Sequence, residues 1–479
     1  MNVMPIRYFS KNFKKTQPLS EFYQELKNGM HNDQNPVDLL RKLDPQHVDL
    51  PAFDLIFDRF IDSEWGANRP KTPLKLSAKL LEFVKLLSDM NVVLNKEQIC
   101  KLVDFYQVFL EFTPPYSRID GIYFIAKIEQ KSSSTHLTPY FDELHDFYSS
   151  EYDFLKEKSL HLESVKAILN LSKALKISRY FDEQLLRNLS TVYKVLSNFD
   201  QLAQIPQLQI NILQDASDLL NVFTFFNVQN QEMSLSLKKI LKKYVGIIQN
   251  SKDDQELKDH EIDQGFLHKF KSICLKYTRY QMLYLDLSED NLKLHKDIYR
   301  FLMVDYKTKH DMELSHSDFN QIYQSMLAMK SHLKSEISGD LLSRMREIWL
   351  KNTEETIISK FEQEVYECTK RLPVKSLFNS NDPETGLEID ILITEVEKTK
   401  LVDFKIAIEV NGVYHYARNS ERQMGRDKIK QSIIRQNQSE KYKLITIPYF
   451  EWALLENQSK SKYLMDLINL ALSTNQKEE

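Results

Sequence analysis

The chain has 479 residues, of which 42% are hydrophobic, which is enough for a sizeable core and excludes a largely disordered protein. Only nine residues are glycine, and because sheet-rich folds use more glycine in their tight turns, the composition favours a mostly α-helical protein. The formal net charge of −4 excludes a generally basic nucleic-acid binder, so any RNA-binding surface must be a local patch.

Residues 1–18 are predicted to form a mitochondrial targeting segment. The first twenty residues contain serines and no acid, and their basic residues are Arg7, Lys11, Lys14 and Lys15. A basic, hydroxylated and acid-free composition is typical of transit peptides, and residues 7–10 also resemble a matrix processing site. We therefore expect import into the mitochondrial matrix. A plastid is the alternative compartment, and an ordinary frayed terminus is the alternative structure.

Residues 19–350 are predicted to form an array of helical hairpins. Apolar residues recur at steps of three and four, which places them on one face of a helix. The first stripe consists of Leu76, Leu80, Leu81, Val84 and Leu87, and the second of Ile99, Leu102, Val103 and Tyr106. Asn95 precedes the second stripe and has the side chain of a helix N-cap.

Two further pairs of helical stripes follow this pattern. One pair lies over 165–189 with a polar turn at 181–184, and the other lies over 219–241 with a turn at 231–232. Breaks are expected at 113–115, 132–134 and 251–256. Because stacked hairpins bury apolar faces that a single hairpin cannot, we predict an α-solenoid-like array. An irregular helical bundle is the alternative.

Residues 355–473 are predicted to form a small α/β domain. A helix is expected over 355–369, another after Gly425, and a closing helix over 459–472. Between them β-branched residues concentrate in three predicted strands, at 387–393, 404–410 and 444–449. Strands that alternate with helices indicate an α/β unit. The predicted fold class is therefore mostly α, with a small C-terminal α/β domain.

The most distinctive motif is IEVNGVYHY at 408–416. It is followed by Gly425 with a basic helix, by LITIPYFEW at 444–452, and by the pair at 463–464. In this order and spacing the blocks resemble the RAP domain, over about 371–470. Three positions depart from that family's pattern: Asn411 replaces an Asp, Val413 replaces a Pro, and Tyr416 replaces another aromatic residue.

The resemblance implies a function in RNA metabolism. RAP domains lie at the C-termini of helical-repeat proteins, which include the FAST-kinase-like family and octotricopeptide- and heptatricopeptide-repeat proteins. These proteins function in the stability, processing or translation of organellar RNA, or in the assembly of organellar ribosomes. We therefore expect a protein that binds organellar mRNA or rRNA without catalysis or a cofactor, with the mitochondrial ribosome or RNA-processing proteins as further partners. A structural component of an organellar ribosome or its assembly intermediate is an alternative.

The resemblance also leaves a second alternative open, a metal-dependent RNA endonuclease. RAP domains resemble the restriction-endonuclease-like PD-(D/E)XK fold, in which one helix acid and two strand acids hold Mg²⁺ and a lysine assists the attacking water. The matching candidates are Glu364, Asp390 and Glu409. The lysine position carries Asn411, which has no charge to steady a hydroxide, so catalysis is not predicted. In that case the carboxylates have a structural role and accept hydrogen bonds at strand ends and turns.

A local basic patch follows the motif at 408–416. Residues 418–443 contain eight Lys and Arg against three Asp and Glu. Aromatic rings beside cations suit single-stranded RNA, because bases stack on rings while cations follow the phosphates. The predicted RNA-binding residues are Tyr414, His415, Tyr416, Arg418, Arg422, Arg426, Lys428, Lys430 and Arg435. The alternatives are a solvated helix face and, for His415, a structural histidine.

Two other classes of protein do not fit the sequence. The three cysteines lie far apart, so neither a disulfide framework nor a CxxC metal site is available. No uninterrupted apolar run of about 20 residues is present, so no membrane span is predicted.

Overall fold

The structure is a computed structural model that divides into two compact units, Met1–Tyr180 and Phe181–Glu479. It describes residues 73–90, 94–110, 115–132, 162–187, 206–251, 257, 262–284, 288–309, 312–329, 339–353, 358–382, 385–401, 403–437 and 441–473. The targeting segment predicted at 1–18 lies outside the described residues, as do parts of the three predicted breaks. The division between the units falls inside the helical region predicted over 19–350.

The described part of the first unit is helical. Its helices are α1 (Pro73–Asp89), α2 (Lys96–Leu110), α3 (Pro115–Ser132) and α4 (Leu162–Ser178). The predicted stripe of α1 is buried at Leu80, Val84 and Leu87. Asn95 caps α2 as predicted: its Oδ1 accepts from the Gln98 backbone N–H at 2.9 Å, and the Gln98 side chain accepts from the Asn95 N–H at 2.9 Å.

Before the sheet, the described residues of the second unit include six α-helices and a π-helix with well-defined bounds. They are α5 (Pro206–Phe225), α6 (Gln231–Asn250), α7 (Gln264–Tyr284), α8 (Glu289–Arg300), the π-helix Phe301–Lys309, α9 (His316–Ala328) and α10 (Gly339–Thr353). Helix α7 is buried along most of its length and packs against α5 and α9. It is therefore the central helix of this unit.

One predicted turn is wrong by a few residues. Residues 231–232 were expected to lie in the turn between two helices, but they begin α6. Asn230 is the N-cap, and its side chain accepts from the Met233 N–H at 3.1 Å. An acid such as Glu232 in the first turn of a helix is favoured by the helix dipole, so this polar pair belongs to the helix.

The C-terminal part of the second unit is a small sheet with helices. The strands are β1 (Val374–Asn381), β2 (Glu388–Val396), β3 (Thr399–Lys400), β4 (Lys405–Asn411) and β5 (Tyr442–Pro448). The helices are α11 (Lys360–Thr369), α12 (Gly425–Asn437), α13 (Tyr449–Ala453) and α14 (Asn457–Ser473). The strand order is β1-β2-β4-β5 with β3 beside β2, and only β4 and β5 pair in parallel. Helix α12 forms the crossover between those two strands.

The three predicted strands and the helices around them are confirmed, whereas β1 and β3 were not predicted. A mostly helical chain with a small C-terminal α/β region is therefore confirmed. The solenoid-like stacking and the restriction-endonuclease-like type stay predictions. None of the helices that the structure describes is both long and apolar enough to cross a membrane.

The sheet has one apolar face and one polar face. Alternate residues of β2, β4 and β5 pack with α11 and α14 around Trp452 in an apolar core: Ile391, Ile393, Ile408, Val410, Ile445 and Ile447. Because strand side chains alternate between faces, the residues between them point to the α12 side. There Glu409 pairs in register with Thr446, and Asn411 follows on the same face.

The α/β region is joined to the helices that precede it. Helix α12 packs against α5, α7 and α9. The Tyr323 hydroxyl donates to the Thr385 carbonyl at 2.9 Å, and the Trp349 Nε1–H donates to the Gly386 carbonyl at 3.0 Å. These hydrogen bonds connect α9 and α10 to the turn before β2, so the helices and the sheet form one compact unit.

Candidate nucleic-acid interface

An exposed aromatic side chain follows the end of β4. After Gly412 the chain forms a short 3₁₀ helix, Val413–His415, in which the His415 N–H donates to the Gly412 carbonyl at 3.0 Å. This turn places Tyr414 on the surface with 76% of its area exposed. An exposed tyrosine ring offers a flat face on which a nucleic-acid base can stack.

Several predicted cations are exposed close to Tyr414 in the chain. Arg418 lies in the loop before α12, Arg426 is the second residue of α12, and Arg435 lies in its last turn. All three side chains are exposed, and Lys428 between them is partly exposed. These four cations are accessible to the phosphates of a nucleic acid.

Tyr416 is buried, unlike its neighbour Tyr414. Its side chain is 4% exposed, and its ring packs against Tyr449 and Phe450 at centroid distances of 5.7 and 5.2 Å. Burial raises the pKa of its hydroxyl. The ring of Tyr416 is therefore part of the packing between β4 and α13, and it has no free face for a base.

Arg422 is engaged within the second unit. Its Nε–H donates to the Phe226 carbonyl at 2.8 Å, and a terminal nitrogen donates to the Asn227 carbonyl. Its guanidinium also lies 4.6 Å from the centroid of the Phe181 ring. Cations at the end of a helix stabilise its unpaired carbonyl groups, and Arg422 does so at the turn after α5.

His415 and Asp427 form a hydrogen-bonded pair. His415 Nδ1 lies 2.8 Å from the carboxylate of Asp427, in the first turn of α12. Because a carboxylate accepts hydrogen bonds, this contact places the proton on Nδ1 and leaves Nε2 as an acceptor in the neutral ring. The imidazole is one-third exposed. Asp427 was not singled out from the sequence, since nothing local connects it to a histidine twelve residues earlier.

Two of the candidate nuclease acids meet a lysine on the polar face of the sheet. The Lys430 ammonium lies 2.6 Å from Glu409 Oε2 and 3.5 Å from Asp390 Oδ1. The other oxygen of Asp390 accepts from the Val410 N–H at 2.7 Å. Lys430 was predicted to contact RNA, but its side chain is 27% exposed and lies between two carboxylates.

The charges of this cluster are strongly coupled. Burial raises the pKa of Glu409 to about 8, although Lys430 opposes the shift. Burial lowers the pKa of Lys430, but Glu409 and Asp390 raise it by more, so it lies above its ordinary value. Glu409 Oε1 is buried and has no hydrogen-bond partner among the described residues. An ammonium thus supplies the positive charge between the two strand acids.

Glu364, the third candidate acid, lies apart from this cluster. Its Oε1 accepts from the Trp452 indole at 2.9 Å and from Lys460 at 2.7 Å. Among the residues that the structure describes, no three or more His, Cys, Asp and Glu side chains lie close enough to hold a metal ion. Glu364, Asp390 and Glu409 therefore do not fit a shared Mg²⁺.

A family model described as the RAP domain matches residues 408–467. The match covers the end of β4, the exposed turn, α12, β5 and most of α14, and it supports the resemblance drawn from the motifs. RAP domains are generally associated with RNA binding. No curated protein matches the chain.

Proposed function

We propose that this RAP-domain protein binds single-stranded RNA through the surface that follows β4, without catalysis or a cofactor. The surface, called here the RAP surface, consists of Tyr414, His415, Arg418, Arg426, Lys428 and Arg435. The proposed process is mitochondrial RNA stability, processing, translation or ribosome assembly, in the matrix. The basic, acid-free composition of residues 1–18 supports that compartment.

The observation that carries the proposal is the exposed ring of Tyr414, which precedes the exposed arginines of the loop and of α12 in the chain. A base stacked on an aromatic side chain contributes about 1–3 kcal/mol, and every base has a face that can stack. Arg418 and Arg435 supply cations to the adjacent phosphates and can also stack on bases by their guanidinium planes. The imidazole of His415 adds a hydrogen-bond acceptor, for example for a ribose 2′-hydroxyl.

The contacts of the strand acids support binding rather than cleavage. The Lys430 ammonium lies between Asp390 and Glu409, and a divalent ion would have to displace it to reach both side chains. The neutral Asn411 stands where the nuclease pattern has its lysine. We therefore expect RNA binding to persist in EDTA, without a requirement for Mg²⁺.

The first test is fluorescence anisotropy of the full-length protein with labelled single-stranded RNA. We expect Tyr414→Ala to weaken binding by between about 5-fold and 150-fold, because one stacking contact is lost. We expect Arg418→Glu/Arg435→Glu to weaken it further and to lower the slope of log K against log salt by about 0.7 for each phosphate contact removed.

The matched control reverses two cations elsewhere in the same unit. Lys293 and Arg300 are exposed on α8, so Lys293→Glu/Arg300→Glu makes the same change in net charge away from the RAP surface. We expect this control to bind RNA like the wild type at moderate salt. Equal losses of RNA affinity in both double variants would show that net charge, and not the RAP surface, determines binding. A wild type that binds no RNA would refute the proposal.

The cellular role needs a separate measurement. We expect crosslinking and sequencing of bound RNA to recover organellar transcripts or rRNA, and the Arg418→Glu/Arg435→Glu variant to lose them. A permanent ribosomal component would instead co-sediment with ribosomal particles in constant ratio. Recovery of cytosolic RNA alone would refute the organellar part of the proposal.

A further inference from the structure

Arg279 on α7 is a cation that has no counterion among the residues that the structure describes. Its side chain is partly buried, and its Nε–H is fully buried without a hydrogen-bond acceptor. Among the described residues its guanidinium makes no hydrogen bond or ion pair. A charged group that is withdrawn from water is costly unless it is paired, so this partly buried guanidinium would gain from an anionic partner.

A second arginine lies at the same junction. The N-terminus of α12 approaches α7 closely, because a Cβ on Gly425 would lie 3.5 Å from Leu283 Cδ2. Leu283 lies one helical turn after Arg279 on α7, and Arg426 directly follows Gly425. Arg426 is exposed and has no carboxylate partner among the described residues. Burial lowers the pKa of Arg279, and the positive charge of Arg426 lowers it further.

The neighbouring Arg422 shows how a structural arginine is satisfied at this junction. It donates to the Phe226 and Asn227 carbonyls and lies 3.6 Å from the carboxylate of Glu183. The nearby acid of α12, Asp427, is directed to His415 instead. In the described part of the chain no acid offsets the repulsion between Arg279 and Arg426, an arrangement that an anion would stabilise.

We propose that Arg279 and Arg426 together bind one phosphate of the RNA backbone, at the junction of α7 and α12. This inference rests on the proposed function and extends it. A guanidinium matches the geometry of a phosphate with two parallel hydrogen bonds, and the N-terminus of α12 adds the positive end of its dipole. Arg279 lies outside residues 408–467, so the RNA runs from the RAP surface onto the helical region.

The test compares full-length Arg279→Gln with Arg300→Gln, a control that removes the same charge from an exposed position on α8. We expect Arg279→Gln to bind single-stranded RNA about tenfold more weakly, with a salt slope lower by about 0.7. The control should match the wild type. Because the unpaired charge is removed, the melting temperature of free Arg279→Gln should equal or exceed that of the wild type.

Neutral methylphosphonate linkages placed one at a time in the RNA identify the phosphate. One linkage should weaken wild-type binding by about the same factor as Arg279→Gln, and should have little further effect on that variant. Wild-type affinity in Arg279→Gln, or the lack of any linkage coupled to Arg279, would overturn the phosphate site and leave the proposed function standing.

A third arm does not depend on RNA. Tripolyphosphate should raise the melting temperature of the wild type and of Arg300→Gln, but not that of Arg279→Gln. If the wild type binds no RNA, the proposed function fails, and the tripolyphosphate measurement alone then tests whether the phosphate site exists. Stabilisation that requires Arg279 then supports a phosphate site, whereas no stabilisation, or equal stabilisation of all three proteins, overturns it.

Discussion

Glu409 holds a carboxyl group on the polar face of the sheet, where α12 shields it from water. Lys430 contacts one of its oxygens, while the other has no partner among the described residues. A carboxyl group in such a place binds its proton more tightly in the folded state than in the unfolded state. Its effect on the stability of the fold must therefore change with pH.

We expect the stability of the wild type relative to Glu409→Gln to change between pH 5 and 8. The folded pKa, about 8, lies above the ordinary value of 4.5, so the stability that the protonated group contributes is complete below pH 4.5 and is lost as pH rises through 8. The wild type should therefore lose stability relative to Glu409→Gln as pH rises, by at most about 1.4 kcal/mol per pH unit. Urea unfolding at several pH values measures the difference.

The control for this prediction is Glu395→Gln. Glu395 lies on β2 and pairs with Lys375 at 3.1 Å near the surface. Its difference from the wild type should stay nearly constant over the same pH range. If Glu409→Gln shows the same flat difference, then burial does not raise the pKa of Glu409.

Single residues show where prediction from the sequence stops. The exposed Tyr414, Arg418 and Arg435 have the accessibility that an RNA surface requires, although their contact with RNA stays a prediction. Nothing local in the sequence distinguishes Tyr416 from Tyr414, or Lys430 from the basic residues around it. Yet Tyr416 is packed against aromatic rings and Lys430 lies between two carboxylates. Their partners come from other elements, so no local pattern reveals them.

Helix α12 approaches α5 so closely that only a glycine fits at its first position. A Cβ on Gly425 would overlap the backbone carbonyl oxygen of Thr224. Because that oxygen belongs to the backbone, the two helices would have to move apart. The glycine thus determines how near the α/β region lies to the helices before it.

The substitution Gly425→Ala tests this contact, with Gly246→Ala as its control. We expect Gly425→Ala to destabilise the protein by at least about 2 kcal/mol, since added atoms in a closed contact force the backbone to shift. A Cβ on Gly246, within α6, meets nothing within 4 Å. Gly246→Ala should therefore stabilise the protein by about 0.5–1 kcal/mol through helix propensity. Thermal or urea unfolding measures both, and an unchanged Gly425→Ala would contradict the contact.

At the scale of elements the sequence was most informative where one face is buried. Apolar spacing located α1 and α2, and the predicted N-cap at Asn95 identified the residue at which α2 begins. Strand β1 was missed because Val374–Asn381 has the sequence VKSLFNSN, whose polar residues give it little strand character. It is an edge strand, and its pairing with β2 rather than its own composition makes it a strand.

The whole second unit should unfold cooperatively, which two fragments of different length can test. The fragment 181–479 contains both α12 and the helices it packs against, whereas 358–479 lacks α5, α7, α9 and α10. We expect the shorter fragment to melt at least about 5 °C lower and less cooperatively than the longer one, because the face of α12 loses its partners. Circular dichroism melts of both fragments measure this, and equal melting temperatures would contradict a shared core.

The whole-molecule organisation was the least predictable level. Composition and the order of stripes and strands gave a helical chain with a C-terminal α/β region. The close packing of α12 against α5, α7 and α9 depends on contacts between residues far apart in the chain, such as Arg422 with Asn227. Such contacts leave no periodic signal, and neither does the isolated Arg279.

The hydrogen bonds of Arg422 also set an order of events during synthesis. The carbonyl groups of Phe226 and Asn227 emerge from the ribosome 195 residues or more before the guanidinium that they accept from. At typical elongation rates of about 5–20 residues per second, that interval is roughly 10–40 s. For that time the turn after α5 exposes the site at which Arg422 will dock. A nascent chain therefore passes through a stage at which a chaperone can bind this site, and the arrival of Arg422 and Gly425 ends it.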